Sequence, residues 1–315
     1  MSRFSLIIPI LFGALATACA STQSAAIDFG GDADPVTIEG FSACATDGPD
    51  RLPIDPDRPL AVFVHGCNAS GGRFRALAEV FEAHGQQTIC FDYDDRDSME
   101  DTAARLAAAL QKLTAHHRHP EITVFGHSQG GLITRRAFAD KRGDGPILDQ
   151  QFDYRIVTVS SPFNGIEASS HCGLIGLHIV TLGITAGVCA AIAGDKWDEI
   201  HGDADFMREP GTLVEGVGDY VKVVTDERET CRRYDEDGDC VEDDYVFSVE
   251  EQYNDAIDSD SRVVNLEVKA GHVEIVGQDD EPPHKLIELL QDNEILAETS
   301  PEKRDEIASL LRRLF

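Results

Sequence analysis

The stretch Glu-Ile-Thr-Val-Phe-Gly-His-Ser-Gln-Gly-Gly at residues 121–131 decides the fold of this chain. Its apolar, β-branched run at 122–125 predicts a buried strand, which stops at the glycine that follows. Beyond residue 131, apolar residues recur at helical spacing. The stretch therefore predicts a strand that turns sharply into a helix, with Ser128 at the apex of the turn.

The position of Ser128 suits a nucleophile. A tight turn strains the backbone at its apex, and Gly126 and Gly130 relieve the crowding because they have no Cβ. The serine hydroxyl then projects from the edge of the sheet, while the N–H of Gln129 lies at the positive end of the helix dipole. The pentapeptide matches the G-x-S-x-G nucleophile elbow; a chance match is the alternative, and the flanking strand and helix favour the motif.

Other apolar runs repeat the alternation of strand and helix along the chain. Predicted strands and helices follow one another, with the strands at 60–64, 87–91, 154–159, 220–224 and 263–268 and the helices at 73–84 and 98–113. This rhythm predicts an α/β protein with a doubly wound, mostly parallel sheet, which holds its functional sites at the carboxyl ends of the strands. A further edge strand is predicted at 36–44.

The chain divides by composition into four parts. Residues 1–18 form a predicted signal peptide, because Arg3 precedes an apolar core at 4–15 and small residues follow it. Residues 19–58 are a tether and N-terminal edge segment, 59–292 the main domain, and 293–315 a C-terminal helical tail. We expect the apolar face of the tail to dock on that domain; a weak contact with a membrane or a partner is the alternative.

The main domain contains a predicted insertion at about 166–215, which is too long for a simple connection. Its apolar part, 171–194, approaches the length of a membrane span, but four glycines interrupt it. We expect a pair of lid helices tied by a Cys172–Cys189 bridge, which would cover an apolar pocket. Buried helix packing without any role in substrate binding is the alternative.

The cysteines indicate export. A small-residue run ending at Cys19 resembles a bacterial lipobox, so Cys19 would carry a lipid anchor; plain cleavage is the alternative. Eight cysteines in an exported chain favour disulfides. Cys231–Cys240 is expected as a local bridge and Cys67–Cys90 as another, which leaves Cys44 over if Cys19 is lipidated. The predicted location is the bacterial envelope, the periplasm or the medium.

The strong negative charge excludes some partners. The net charge of −30 disfavours nucleic acid and anionic membrane surfaces, because both need a basic face. The acidic loop at 235–239 suggests a calcium site, but an EF-hand loop would need glycine at Cys240 and glutamate at Val246. We therefore predict no metal and no cofactor.

Four segments resemble the α/β-hydrolase superfamily, specifically lipase- or esterase-like members close to triacylglycerol lipases. They are Val-His-Gly-Cys at 64–67, Gly-His-Ser-Gln-Gly at 126–130, Val-Ser-Ser-Pro-Phe-Asn-Gly at 159–165 and Gly-His at 271–272. The resemblance implies a catalytic triad in the chain order serine, acid, histidine. It also implies an oxyanion hole built from the backbone N–H groups of Cys67 and Gln129.

His272 is the expected general base, because it follows the last predicted strand in a Gly-His turn, whereas His284 reads as a solvated helix-start residue. The acid is harder to choose. Asp244 is favoured because it begins a segment resembling the family's Asp-x-x-Val turn, and Asp226 is the alternative because it directly follows a predicted strand. Asp243 and Asp239 are outside candidates.

The expected function is hydrolysis of a small-molecule or lipid carboxylic ester through an acyl-enzyme. An acyltransferase or an amidase on the same triad is an alternative. A non-catalytic envelope lipoprotein that keeps the fold for binding is another, although such proteins usually lose the serine or the histidine.

Overall fold

A computed structural model of the protein describes residues 24–31, 34–67, 69–141, 143, 145–146, 151–166, 197–277 and 281–315. The predicted signal peptide, Cys19 and the apolar part of the predicted lid with its Cys172–Cys189 bridge lie outside these residues. The strands, sheets and helices of the fold that are named here all lie within these ranges.

A seven-stranded sheet forms the centre of the fold. Its strands are β3 (Phe41–Ser42), β5 (Leu60–Val64), β6 (Gln87–Phe91), β7 (Glu121–His127), β9 (Asp153–Val159), β11 (Val217–Asp226) and β14 (Val263–Lys269). They lie in the order β14-β11-β9-β7-β5-β6-β3. Six strands run parallel, and β3 pairs antiparallel with β6 at one edge. The predicted mostly parallel sheet is therefore confirmed.

Short strands form three small sheets beside the main one. One contains β1 (Ala26–Asp28), β2 (Val36–Thr37) and β4 (Arg51–Pro53); the others pair β8 (Ala139–Asp140) with β10 (Thr212–Leu213), and β12 (Cys231–Tyr234) with β13 (Cys240–Asp243).

Helices cover both faces of the main sheet, because alternate residues of its central strands point to opposite sides. Val62 and Val124 belong to one buried core, while Phe63 and Phe125 belong to the other. The helices are α1 (Arg75–Ala83), α2 (Met99–Thr114), α3 (Gln129–Ala137), α4 (Trp197–Ile200), α5 (Asp205–Arg208), α6 (Val249–Gln252), α7 (Asp255–Asp258), α8 (His284–Asp292) and α9 (Arg304–Leu314). Side chains of α2 and α3 line the first core, and those of α1, α8 and α9 the second.

The N-terminal segment differs from its prediction in two respects. The expected edge strand at 36–44 is two short strands, β2 and β3, and β3 alone joins the main sheet. The disulfide that closes this edge links Cys44 to Cys90, so the predicted Cys67–Cys90 bridge is wrong. Antiparallel pairing of Ser42 with Cys90 brings residue 44 close to β6, a contact between distant parts of the chain that cysteine spacing does not reveal.

Two further predictions are confirmed. Cys231 and Cys240 form a disulfide that closes the β12–β13 hairpin. The C-terminal helix α9 buries Ile307, Leu310 and Leu311 in the core that α1 and α8 share. Within the described ranges, no helix has the length and apolar character needed to cross a bilayer.

Candidate active site

Ser128 lies at a strained turn between β7 and α3. Its backbone has φ 57° and ψ −126°, a conformation that L-residues rarely adopt. The flanking glycines are sterically required: a Cβ on Gly126 would lie 2.4 Å from the carbonyl oxygen of Gly130, and a Cβ on Gly130 would lie 2.2 Å from that of Val64. The strand-turn-helix predicted for this stretch is present, with the serine at its apex.

The loop after β5 lies against Ser128. A Cβ on Gly66 would approach the Cβ of Ser128 to 3.0 Å, so glycine permits this close contact. The next residue, Cys67, is half-buried, and its thiol hydrogen-bonds to the side-chain oxygen of Gln129 at 2.5 Å. The two residues predicted to form an oxyanion hole are therefore neighbours at the start of α3.

His272 lies beside this turn. It is buried, and the loop that carries it follows β14. The ring of His127 lies 4.7 Å from that of His272, centroid to centroid, and its Nε2–H donates to the His272 carbonyl oxygen at 2.9 Å. In the described part of the chain no hydrogen bond joins the Ser128 hydroxyl to the His272 ring. Serine and histidine thus share one edge of the sheet without a hydrogen bond between their side chains in the described structure.

The carboxylate that contacts the His272 ring belongs to Glu227. Its Oε1 lies 3.1 Å from Nδ1 of His272, and its side chain is fully buried. The other oxygen, Oε2, accepts hydrogen bonds from the backbone N–H groups of Val246 at 2.6 Å and Phe247 at 2.8 Å. The ring of Phe247 packs edge-on against the imidazole at 4.9 Å. A buried, hydrogen-bonded carboxylate therefore orients the histidine beside Ser128.

Comparisons with known proteins agree with this architecture. Residues 59–161, about a third of the chain, match the family described as alpha/beta hydrolase fold. The protein has the α/β-hydrolase fold.

Solved structures with this hydrolase fold include the lipase BlEst2 of Bacillus licheniformis. Its mature form is 18% identical, with a TM-score of 0.52, and the match covers 77% of this chain and 94% of that one. Its propeptide form is 15% identical, with a TM-score of 0.54, covering 82% of this chain and 54% of that one. No curated protein matches the sequence. At these identities the likeness concerns the fold.

Asp244, the predicted acid of the hydrolase site, does not contact the His272 ring. Its Oδ2 accepts from the backbone N–H groups of Val273 and Glu274, both at 2.9 Å, and its Oδ1 accepts from Arg232 at 2.9 Å. Its backbone carbonyl accepts from the N–H of His272 at 2.9 Å. The assignment of Asp244 as the carboxylate that orients the imidazole is therefore wrong: this residue holds the loop that carries His272.

The alternative acid, Asp226, also lies away from the imidazole. It is the last residue of β11, opposite Lys269, and its carboxylate pairs with Arg228 at 2.7 Å. The outside candidates Asp239 and Asp243 are exposed in the β12–β13 hairpin. None of these carboxylates contacts His272 in the described structure.

The sequence prediction misses Glu227 because it ends strand β11 too early. The sequence prediction ends this strand at Val224, whereas the ladder continues to Asp226, so the first residue beyond the strand is Glu227. Side chains alternate along a strand, which places residues 225 and 227 on the same side. Thr225 and Glu227 indeed hydrogen-bond at 2.9 Å. This alternation is the signal that could have identified the glutamate.

The surroundings of Glu227 keep it ionised. Burial alone would raise its pKa, but the hydrogen bond and the charge of His272, followed by hydrogen bonds from Ser160 and Phe247, hold the pKa below its usual value. Glu227 therefore acts only as a hydrogen-bond acceptor at neutral pH, so Nδ1 of His272 must carry the proton between them. With the proton on Nδ1, Nε2 is the nitrogen of the His272 ring that can act as a base.

The side chain of His127 is neutral at neutral pH. Burial, reinforced by the positive charge that His272 can carry, places its pKa well below the usual value for histidine. Its Nε2–H supports the His272 carbonyl. His127 thus connects the serine turn to the histidine loop without contributing charge.

Proposed function

We propose that this protein is a serine hydrolase that cleaves carboxylic esters through an acyl-enzyme. One arrangement carries the proposal: a serine in a strained strand-to-helix turn lies at the same sheet edge as a buried histidine whose Nδ1 contacts a buried carboxylate. A serine hydroxyl is a weak nucleophile, and a base oriented by a carboxylate is the usual means of activating it.

In this mechanism the Ser128 oxygen attacks the ester carbonyl while Nε2 of His272 takes the hydroxyl proton. The alcohol then leaves with that proton, and an acyl group remains bonded to Ser128. Water attacks the acyl-enzyme and gives a proton to Nε2 of His272; the bond between the acyl carbon and the Ser128 oxygen then breaks, that oxygen takes the proton back from His272, and the carboxylic acid departs. Glu227 stabilises the imidazolium that forms in each step. Because catalytic hydrogen bonds often tighten only when substrate binds, we expect the contact between Ser128 and Nε2 to form in the complex.

The developing negative charge would be stabilised by two backbone N–H groups, those of Gln129 and Cys67. The N–H of Gln129 opens helix α3, and the contact of the Cys67 side chain with that of Gln129 brings the second residue to the same place. Both residues would donate through the backbone N–H and not through the side chain. The thiol of Cys67 is therefore not needed for the hydrogen bonds to the substrate.

The substrate class inferred is a small-molecule or lipid ester. The α/β-hydrolase fold supports this class, and the BlEst2 structures that share the fold are described as a lipase. Two disulfides, Cys44–Cys90 and Cys231–Cys240, support a location outside the cytoplasm, since such bonds persist in oxidising compartments. An exported, envelope-associated esterase is the corresponding biological assignment.

Replacement of the nucleophile tests the proposal. Ser128→Ala should lower kcat/KM on a short-chain nitrophenyl ester by about a thousandfold or more, because the attacking oxygen is lost. The circular dichroism spectrum and the thermal transition should stay close to those of the wild type. A fluorophosphonate probe should label the wild type and not the variant; equal turnover or equal labelling of both would refute the assignment.

Product analysis separates the alternatives that share this triad. Hydrolysis gives the free acid even when an alcohol or an amine is added, whereas an acyltransferase would give mainly the new ester or amide. An amidase would cleave the anilide corresponding to the nitrophenyl ester. If the wild type neither turns over esters or amides nor reacts with the probe, the protein is a binding module with a hydrolase fold.

A further inference from the structure

A second serine lies at the candidate site, at the end of the strand next to the nucleophile turn. Ser160 directly follows β9, and its backbone has φ 47°, in the left-handed region that non-glycine residues rarely enter. It is completely buried. The N–H of Ser128 donates to the carbonyl oxygen of Val159 at 2.9 Å, so the two strained serines follow neighbouring, hydrogen-bonded strands.

The strained backbone directs the Ser160 hydroxyl between the histidine and the carboxylate. Its Oγ lies 2.7 Å from Nδ1 of His272 and 2.5 Å from Oε1 of Glu227. The direct separation of Nδ1 and Oε1 is longer, at 3.1 Å. Nδ1 of His272 is therefore closer to the hydroxyl oxygen of Ser160 than to the carboxylate oxygen of Glu227.

The direction of each hydrogen bond follows from the inventory of protons. An ionised Glu227 can only accept, so the single hydroxyl proton of Ser160 goes to its Oε1. The Ser160 oxygen is then left to accept from Nδ1–H of His272. Both the hydroxyl and the carboxylate thus require the proton on Nδ1, which leaves Nε2 as the basic nitrogen of the neutral ring.

A further layer of side chains holds the hydroxyl in place. Thr225 Oγ1 lies 2.8 Å from Ser160 Oγ, and the side-chain oxygen of Gln252 accepts from the Thr225 backbone N–H at 2.9 Å. The amide nitrogen of Gln252 donates to the Thr225 carbonyl at 2.8 Å. Thr225 and Gln252 are buried and lie on β11 and α6. The polar cluster is therefore built into the fold.

We propose that Ser160 is a positioning residue of the esterase reaction: its hydroxyl bridges His272 and Glu227 and fixes the tautomer and the rotation of the catalytic imidazole. This inference rests on the proposed function, since it assigns Ser160 a part in that reaction. Backbone strain at a non-glycine residue persists only where the surroundings demand it, and here the strain places one hydroxyl against both partners.

The test compares Ser160→Ala with Ser161→Ala. Ser161 is a buried neighbour whose hydroxyl bonds to the Val159 carbonyl at 3.2 Å, so its removal is a matched control. Ser160→Ala should lower kcat about tenfold with little change in KM, because one hydrogen bond to the imidazole is lost. Ser160→Gly, which also relieves the positive φ, should show the same loss of kcat while folding at least as stably as Ser160→Ala.

A spectroscopic measurement makes the test independent of turnover. The Nδ1–H proton resonance of His272, identified by its disappearance in His272→Gln, should move upfield in both Ser160 variants and stay in place in Ser161→Ala. An unmoved resonance with wild-type kcat would overturn the role of Ser160 and leave the esterase proposal standing. A wild type that does not react with esters or probe would refute the esterase and the role that rests on it, whatever the resonance does.

Discussion

The candidate site has two halves, the turn that carries Ser128 and the region that carries the acid. The geometry of the first depends on residues adjacent in sequence, whereas the geometry of the second depends on contacts between distant segments. The nucleophile turn at 121–137 is one continuous strand, turn and helix, and each part of its geometry depends on neighbouring residues. The acid region at 226–247 depends on contacts between a strand end, a disulfide-closed hairpin and the histidine loop. Two buried carboxylates meet there, Glu227 and Asp244, and only Glu227 contacts the imidazole. Local sequence can specify a turn, but the choice between two carboxylates is made by tertiary packing.

The largest expected effect is the loss of activity when Glu227, the carboxylate that contacts the imidazole, is replaced. Glu227→Gln keeps the size of the side chain but removes the charge that stabilises the imidazolium and allows the amide to donate to Nδ1. We expect kcat/KM on a nitrophenyl ester to fall by about a thousandfold to ten-thousandfold, as when the equivalent acid of a serine protease becomes an amide. Steady-state kinetics at pH 7.5 measure it. A loss smaller than tenfold would mean that Glu227 is not the acid.

The second largest expected effect is a loss of stability when Asp244, the carboxylate that holds the histidine loop, is replaced. Asp244→Asn weakens the ion pair with Arg232 and one or both hydrogen bonds to the backbone N–H groups of residues 273 and 274. Because Arg232 is partly exposed, we expect the free energy of unfolding in urea to fall by only about 2 kcal/mol, with kcat/KM of the folded protein reduced less than tenfold. Asp226→Asn, which weakens the pair with the exposed Arg228, is the control and should change neither quantity appreciably.

The comparison between Glu227→Gln and Asp244→Asn is the decisive one. If Asp244→Asn lost the larger share of activity and Glu227→Gln mainly lost stability, the roles of the two carboxylates would be exchanged, and the assignment made from the sequence would be restored.

Patterns of period two and period 3.6 predict the sheet, its helices and the position of Ser128, because these patterns are local. His272 is also found locally, through its place after a strand. The same reasoning fails where an error of one or two residues in the predicted end of a strand changes which side chain lies at the site. Two extra residues of β11 place Asp226 in the ladder opposite Lys269 and leave Glu227 at the site.

Other features depend on the backbone conformation or on distant pairings. Ser160 stands in a Ser-Ser-Pro segment that gives no sign of a left-handed residue, since glycine is the usual marker of that conformation. The Cys44–Cys90 bridge depends on β3 pairing antiparallel with β6, which cysteine spacing does not report. These features follow from how elements meet after folding.

The smallest expected effect concerns His127, which joins the two halves of the site. In the unfolded chain a histidine takes up a proton below about pH 6.5, while burial lowers the pKa of folded His127 well below that value. The unfolded state then binds more protons, so the free energy of unfolding falls as the pH falls, by at most about 1.4 kcal/mol per pH unit from this residue. Urea unfolding at pH 7.5, 6.5 and 5.5 should show a shallower decline in His127→Gln than in the wild type.

His117 supplies the matched comparison for this prediction. Burial lowers its pKa to about 4, and it lies after α2, away from the candidate site. His117→Gln should therefore flatten the pH dependence of stability in the same way while leaving kcat unchanged. His127→Gln should also lower kcat modestly, because the side chain that donates to the His272 carbonyl has been altered. Equal kcat in both variants would show that His127 contributes to stability and does not position the histidine loop.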